Sequence, residues 1–228
     1  MPNFEWISET LVRLGEKLGV DQQGEGYYIE FDHNRDYVGS QYLEPLLKYI
    51  INKTPIKIDY KPFKYPNNVQ WIIHPYFLKQ YNGRWFLLGW KEDAGDGSPK
   101  GMMTLGLERI CAMPIPASVE YIPTDVDFSA YFEDVIGVSI YKDSIMINLK
   151  LKFSEKRYPY VVTKPIYPYQ KTNDEERTLQ MLIIPNHELD TLILSFGRDV
   201  EVLSPMEYRD HIKSILSDAL DKYSKCEE

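Results

Sequence analysis

The sequence predicts an α+β protein in which a small antiparallel β-barrel is followed by a ferredoxin-like α+β domain with a C-terminal helix. Three observations support this fold class. Short alternating segments surround the Asn82-Gly83 pair, a later stretch has the order strand-helix-strand-strand-helix-strand, and a strong helix start follows it at Ser204-Pro205. The predicted parts are a helical connector over 1–54, the barrel over 55–116 and the α+β domain over 117–228.

Composition predicts a cytoplasmic protein that has no membrane segment. The 228 residues are 43% hydrophobic and 26% charged, which is ordinary for a globular chain. No apolar run approaches the ~20 residues that cross a bilayer. The N-terminus lacks the cationic and apolar regions of a signal peptide. Cys111 and Cys226 are far apart in the chain, as expected in a reducing compartment.

The N-terminal part is predicted to be mainly helical. Apolar residues at helical spacing indicate an amphipathic helix from Phe4 to Leu18, and a short strand is predicted from Tyr27 to Phe31. A second helix is predicted from Gln41 to about Asn52, with Ser40 as its N-cap. Thr54-Pro55 ends it.

About five short antiparallel strands are predicted after this helix. Asn82-Gly83 is the strongest hairpin signal, because both residues tolerate the positive φ of a type I′ turn. A polar loop with three glycines leads into the last of these strands. Because closure removes exposed edges, such a set predicts a small barrel. The predicted strands begin at Ile56 and continue as Val69–His74, Tyr76–Tyr81, Arg84–Trp90 and Met102–Ile110.

The second region has clear strand and helix signals after a short helical or irregular piece at Asp127–Gly137. Unbroken alternation predicts a strand from Ile145 to Phe153, and Asn186 is predicted to cap a helix that Gly197 stops. A final helix to about Tyr223 is expected to pack on a partner chain, which predicts a dimer. The other predicted pieces are a helix at Ser154–Val162, an extended edge at Thr163–Tyr169, a turn at Thr172–Glu176 and strands at Leu179–Ile184 and Val200–Leu203.

The segment from Lys53 to Lys91 is basic and aromatic in a chain whose net charge is −8. It holds seven lysines and arginines against one acid, Asp59, together with ten aromatic residues. Cations interleaved with aromatic rings suit phosphates and stacked bases. A half-buried sheet whose outer face is solubilised by lysines explains the same pattern. Both interpretations stay open at this point.

Seven residues of this region and its continuation are candidate ligand contacts. Arg109 follows an apolar run, so its charge needs either an internal ion-pair partner or a ligand. Alternation places Trp85 and Leu87 in the core, with Arg84 and Phe86 on the ligand side. His74 is a candidate phosphate donor, with a plain backbone hydrogen bond as the alternative. The remaining candidates are Lys57, Tyr60 and Tyr76.

No catalytic or metal motif accompanies these candidates. The four histidines and two cysteines are widely separated, and no Walker, G-x-G-x-x-G or G-x-S-x-G motif is present. The run from Asp93 to Gly97 lacks the remaining ligand positions of a calcium loop. The sequence therefore predicts a protein that is not an enzyme and needs neither a cofactor nor a metal.

Several of these motifs occur in the order of a known family. The run His74-Pro75, Asn82-Gly83-Arg84-Trp85-Phe86-Leu87 and Leu107-Glu108-Arg109-Ile110 resembles the WYL domain. Downstream motifs, among them Ile193-Leu194-Ser195-Phe196-Gly197 and Val200-Glu201-Val202-Leu203-Ser204-Pro205, resemble the C-terminal extension domain of the same proteins. The likeness covers roughly Pro55 to Tyr223 and is closest to Bacteroidetes-type regulators.

The resemblance implies an Sm-like barrel that senses a nucleotide or nucleic-acid fragment, and an extension that often mediates dimer contacts. The family's motif tyrosine and motif arginine correspond to Phe86 and Arg109, so Phe86 keeps a stacking face without the hydroxyl. Glu108 stands where an aspartate is usual. The winged helix-turn-helix that usually precedes a WYL domain is not recognisable here. This implies a truncated or separately encoded sensor, or a DNA-reading domain on another protein.

The function predicted from the sequence is a ligand-sensing, dimerising module of a WYL-type transcriptional regulator. Its ligand would be a nucleotide or a single-stranded nucleic acid in a basic aromatic pocket. One alternative is a scaffold or anti-regulator that pairs with full-length homologues without a ligand. A less favoured alternative is a hydrolase that acts on nucleic acid.

Overall fold

The structure is a computed structural model, and it describes residues 39–63, 66–95, 100–141 and 144–224. The predicted helix at Phe4–Leu18 and strand at Tyr27–Phe31 lie outside these residues, so they and the helical connector stay predictions. The chain forms two compact units, Met1–Pro123 and Thr124–Glu228. Each contains an antiparallel sheet and at least one helix, which confirms the α+β class.

The described part of the first unit has one α-helix and five strands. Helix α1 spans Leu43–Ile51 and follows a 3-10 turn at Ser40–Tyr42, close to the predicted bounds. The strands are β1 Ile56–Tyr60, β2 Val69–Tyr81, β3 Arg84–Lys91, β4 Gly101–Gly106 and β5 Ile115–Pro116. Their order in the sheet is β4-β3-β2-β1-β5, and every pair is antiparallel.

The hairpin between β2 and β3 forms as predicted. Asn82 and Gly83 have φ values of 46° and 73°, the left-handed conformation of a type I′ turn. Strand β2, however, is continuous where the sequence predicted two strands. The register shifts between Pro75, which pairs with Gly89, and Phe77, which pairs with Leu88, so the strand continues past the proline through a bulge.

One face of this sheet carries the core of the first unit. Alternate residues of β1 and β2 are buried together with Leu46 of α1. The hydroxyl of Tyr42 ties the start of the helix to the sheet by donating to the Ile110 carbonyl at 3.1 Å. The core consists of Tyr42, Leu46, Ile56, Ile58, Tyr60, Trp71, Ile73, Leu87, Leu105, Leu107 and Ile110.

The described strands do not form the closed barrel that the sequence predicted. Strands β4 and β5 are the two edges of an open sheet within the described ranges. The chain leaves β4 at Gly106 through a 3-10 turn, Leu107–Arg109. It then meets β1 only at an isolated bridge between Ile110 and Tyr60, which is not a continuous strand ladder. The Sm-like assignment stays a prediction.

The second unit has the predicted order of strands and helices. Its elements are β6 Ile147–Phe153, α2 Tyr158–Thr163, β7 Lys171–Asn173, β8 Thr178–Ile183, α3 His187–Ser195, β9 Val200–Ser204 and α4 Met206–Ser224. The antiparallel sheet has the order β7-β8-β6-β9. Alternate residues of β6 and β8 are buried, as the alternation predicted. The ferredoxin-like assignment itself stays a prediction.

The edge strand of this sheet lies later in the chain than predicted. The extended edge expected at Thr163–Tyr169 is not a strand, and β7 occupies part of the segment that was predicted to turn. The side chain of Gln170 explains the difference. Its Oε1 accepts from the Ile166 amide at 3.0 Å, and its Nε2 donates to the Val161 carbonyl at 2.8 Å. These contacts hold the chain in a turn, so pairing begins only at Lys171.

Helix α3 begins where the sequence placed its cap. Asn186 Oδ1 accepts from the Leu189 amide at 2.8 Å, and its Nδ2 donates to the carbonyls of Ile136 and Ser139. The cap therefore also fixes the irregular segment that precedes β6. Helix α4 starts directly after Pro205 and buries Tyr208. Within the described ranges, we find no helix with the length and apolarity that crossing a bilayer requires.

Candidate ligand-binding site

The candidate site is built on the 3-10 turn Leu107–Arg109 that follows β4. The sequence predicted that Arg109 would lie near the end of a strand, but the strand stops at Gly106. Leu107 is buried in the core, and the turn closes with an Ile110 amide that donates to the Leu107 carbonyl at 3.1 Å. The buried Leu107 therefore anchors the backbone that carries Glu108 and Arg109.

The guanidinium of Arg109 lies against two aromatic rings. Its Cζ is 4.9 Å from the centre of the Tyr60 ring and 4.4 Å from that of Phe63. Such stacking stabilises a cation by roughly 0.5–2 kcal/mol. The side chain is 21% exposed, and its Nε is buried without a hydrogen-bond partner. Since an arginine carries five N–H donors, the group retains capacity for an acceptor from solution.

Tyr60 forms the inner wall of this site. Its ring stacks on Trp71 with 5.3 Å between centroids, and its hydroxyl accepts from the Gly106 amide at 3.1 Å. Burial raises the pKa of Tyr60 to about 12, while the positive charge of Arg109 acts in the opposite direction. Because Tyr60 is buried between Trp71 and Arg109, it supports the arginine rather than offering a face to a ligand.

A carboxylate lies between the two arginines of the site. Glu108 Oε1 is 3.7 Å from Arg84 Nη1 and 3.9 Å from Arg109 Nε. Both separations exceed a hydrogen bond, so these are loose ion pairs. Arg84 is exposed at the hairpin end of β3, and its cross-strand partner is Tyr81.

Phe86 lies on the face of β3 that was predicted for a ligand. It is half-buried and pairs with Gly106 on β4, the residue directly before the 3-10 turn. Leu87 is fully buried in the core, and Trp85 packs against the same core. We define the Arg109 cluster as Tyr60, Phe63, Arg84, Glu108 and Arg109, which the structure brings together, with Phe86 on the neighbouring strand.

Comparison with known families assigns both units. The model described as "WYL domain" matches residues 41–113, and the model described as "WCX domain" matches residues 146–220. The chain is a WYL-domain protein with a WCX domain. The matched ranges fall within the first and the second compact unit respectively.

Two solved structures resemble the chain. Proteasome accessory factor B/C of Arthrobacter aurescens is 15% identical, with 83% of this chain and 28% of that chain covered and a TM-score of 0.37. A CRISPR Cas-related protein is 14% identical, with 81% of this chain and 51% of that chain covered and a TM-score of 0.47. The chain thus spans 28% of the first and 51% of the second. No protein in a curated set matches it.

Two of the predicted ligand residues of the WYL domain hold its own chain together. His74 is fully buried: its Nδ1 accepts from the Ile122 amide at 3.0 Å, and its Nε2 lies 3.0 Å from Glu92 Oε1. Since Nδ1 accepts, the neutral ring carries its proton on Nε2 and donates to Glu92. The hydroxyl of Tyr76 donates to the Ile122 carbonyl at 2.8 Å.

Tyr121 completes this set, which we call the Ile122 anchor. Its hydroxyl donates to the Pro75 carbonyl at 3.0 Å, and its ring meets those of His74 and Tyr76 edge-on. Burial raises the pKa of Tyr76 to about 12. For His74, the structure shows the backbone hydrogen bond that was the alternative to a phosphate contact, and both of its ring nitrogens are occupied.

Lys57 and Phe63 complete the comparison with the predicted residues. Lys57 is exposed on β1, where its cross-strand partners are Ile72 and Ile115, and no contact within the described ranges joins it to the Arg109 cluster. Phe63 was not predicted as a ligand residue, yet it is 83% exposed and stacked on Arg109. The signal for it was its position in the basic aromatic segment, directly after Pro62.

The WCX domain has a separate group of titratable side chains. Asp190 accepts from the Tyr208 hydroxyl at 2.6 Å, and its other oxygen lies 2.9 Å from His211 Nε2. Burial raises the pKa of Tyr208, and the Asp190 carboxylate adds to this effect. The group lines a shallow pocket of about 520 Å³ and ties α4 to α3. In the described ranges, no three His, Cys, Asp or Glu side chains are placed to hold a metal.

Proposed function

We propose that the WYL domain of this chain binds a nucleotide or a short single-stranded nucleic acid at the Arg109 cluster. We further propose that it serves as the ligand-sensing, dimerising module of a transcriptional regulator. One observation carries the proposal: a partly exposed guanidinium is held between two rings while its Nε has no hydrogen-bond partner. Burying a charged donor without an acceptor is costly, so a site of this kind is expected to serve a ligand.

The chemistry of the neighbours points to phosphate joined to a base. Arg109 and Arg84 supply two guanidinium groups, which match the acceptor geometry of a phosphate. Phe63 exposes most of its ring beside them, and stacking of a base on such a ring contributes ~1–3 kcal/mol. Phe86, where the family has its tyrosine, would offer a second ring without a hydrogen bond.

The proposal is tested by titrating a fluorescent single-stranded oligonucleotide against the whole chain at several salt concentrations. Replacing Arg109→Met removes charge-assisted hydrogen bonds worth ~1.5–3 kcal/mol, so the affinity should fall by roughly ten- to a hundredfold. The slope of log affinity against log salt should decrease by about one.

A matched control is available in the WCX domain. Arg157 also lies over two rings, those of Tyr160 and Phe196, at 5.7 and 5.9 Å. Arg157→Met should therefore leave oligonucleotide affinity unchanged while removing the same charge. The proposed site would be refuted if Arg109→Met and wild type bound the oligonucleotide with equal affinity, or if the affinity did not change with salt concentration.

A second candidate function is a scaffold that pairs with other copies without a ligand. The observation that favours it is the apolar surface on the last turns of α4, where Leu216, Leu220 and Tyr223 are 53%, 65% and 80% exposed. Sedimentation of wild type and Leu220→Glu with and without oligonucleotide separates the two functions. A dimer that forms through α4 and takes up no oligonucleotide at any salt concentration supports the scaffold.

A further inference from the structure

Glu108 occupies the position in the Arg109 cluster that a ligand anion would take. Its Oε1 lies between Arg84 Nη1 and Arg109 Nε, at 3.7 and 3.9 Å. Neither nitrogen is close enough to donate a hydrogen bond, and the carboxylate remains partly exposed. It therefore neutralises the two arginines without satisfying their donors.

The backbone beneath Glu108 leaves room for this carboxylate. A Cβ placed on Gly106 would lie 2.6 Å from both Oε1 and Oε2, closer than such atoms approach in proteins. A side chain at residue 106 would thus displace the carboxylate from its place against the backbone. The glycine, the acid and the two arginines form one arrangement, in which the anion is part of the site.

We propose that Glu108 is a built-in competitor that a ligand phosphate must displace, so that only an anion with more than one negative charge, such as a terminal phosphate, gains clearly from the exchange. The inference rests on the proposed function of the Arg109 cluster. A tethered carboxylate is present at an effective concentration in the mM range or above, and it carries one negative charge. An internal phosphodiester also carries one charge, so exchange for Glu108 yields little electrostatic gain.

A terminal phosphate differs in both charge and donor satisfaction. It carries about −1.5 to −2 charges near pH 7 and offers three strong acceptor oxygens. It can therefore accept from Arg84 and Arg109 together, which the carboxylate does not do at its present distances. Displacing Glu108 costs little, because exposed ion pairs of this kind contribute only weakly to stability.

The experiment compares two probes that differ only in the terminal group. A labelled dinucleotide with a 5′-phosphate and the same dinucleotide with a free 5′-hydroxyl are titrated against wild type and Glu108→Gln. Wild type should prefer the phosphorylated probe. In Glu108→Gln both affinities should rise by a similar factor of roughly three to ten, because neither probe then has to displace the carboxylate from its two exposed charge contacts.

Three further variants make the outcome specific. Glu120→Gln removes the same charge from an exposed position and should leave both affinities unchanged. Glu108→Asp keeps the charge on a shorter side chain and should bind both probes more weakly than Glu108→Gln does, which also protects the test if Glu108→Gln folds poorly. Arg84→Gln should reduce the preference, because the terminal phosphate loses its second arginine.

Different failures have different meanings. If wild type binds a probe but Glu108→Gln binds it no more tightly, or if wild type shows no preference for the 5′-phosphate, this inference fails alone. If neither probe binds to wild type, and the longer oligonucleotide does not bind either, the proposed function fails and the inference falls with it.

Discussion

The hydroxyl of Tyr60 provides a direct test of how the site is supported. In Tyr60→Phe the aromatic ring remains, so the stack on Trp71 and the contact with Arg109 remain. The Gly106 amide, however, loses its acceptor, the Tyr60 hydroxyl, to which it donates at 3.1 Å in a buried position of the wild-type protein. Leaving a buried donor unsatisfied costs ~1–3 kcal/mol. We expect the free energy of unfolding of the WYL domain to fall by this amount.

The assay is urea denaturation followed by tryptophan fluorescence. The four tryptophans, Trp6, Trp71, Trp85 and Trp90, all belong to the first unit, so the signal reports on the WYL domain without the WCX domain. Tyr49→Phe is the control: its hydroxyl donates to the Pro114 carbonyl at 3.2 Å in a half-buried position. Water can replace this bond, so the expected loss is under about 1 kcal/mol.

Oligonucleotide affinity completes the Tyr60 test. Since the ring and Arg109 stay in place, Tyr60→Phe should bind within about threefold of wild type. Equal stabilities of Tyr60→Phe and Tyr49→Phe would mean that the Gly106 amide does not depend on this hydroxyl. A large loss of affinity with stability unchanged would make the hydroxyl a ligand contact, contrary to the buried position described above.

Three further predictions concern stability. Burial raises the pKa values of Tyr60, Tyr76 and Tyr167 from 10.0 to about 12, so the folded state favours the neutral phenols. The free energy of unfolding should therefore be highest below pH 10 and fall as the pH rises toward 12. Denaturation at a series of pH values measures this, and a flat profile would contradict it. Asn186→Ala removes the cap of α3, and two carbonyls also lose a donor. The free energy of unfolding of the WCX domain should therefore fall by ~1–2 kcal/mol or more. Denaturation followed by far-ultraviolet circular dichroism measures this, with Asn148→Ala on the exposed face of β6 as the control. Asp190→Ala leaves the buried Tyr208 hydroxyl without its acceptor, so the free energy of unfolding should fall by ~1–3 kcal/mol in the same measurement. A decrease below about 0.5 kcal/mol would show that water replaces the carboxylate.

Local rules predicted those elements whose causes lie within a few residues. The Asn82-Gly83 turn needs only the positive φ of two residues, and the Asn186 cap needs only its own side chain and an amide three residues later. The edge strand was misplaced because Gln170 turns the chain with its side chain, which no alternation pattern records. The end of β4 at Gly106 was missed because apolar spacing continues through the 3-10 turn to Leu107.

The candidate site was only partly predictable for a similar reason. The importance of Arg109 was clear from its isolated charge, but its contacts with Tyr60 and Phe63 join positions about fifty residues apart. The basic segment also does not translate directly into a basic surface. Lys91, counted among its cations, is fully buried with its Nζ donating to the Glu92 carbonyl and lying 5.2 Å from the centre of the Trp71 ring.

The Ile122 anchor determines where the WYL domain can be cut. The family match ends at residue 113 and the last strand at Pro116, so a fragment designed from either would stop before Tyr121. Such a fragment would leave the buried Nδ1 of His74 without its donor and the Tyr76 hydroxyl without its acceptor. A WYL fragment that folds by itself should therefore extend to Pro123. A fragment that ends at Pro116 should unfold at a lower urea concentration.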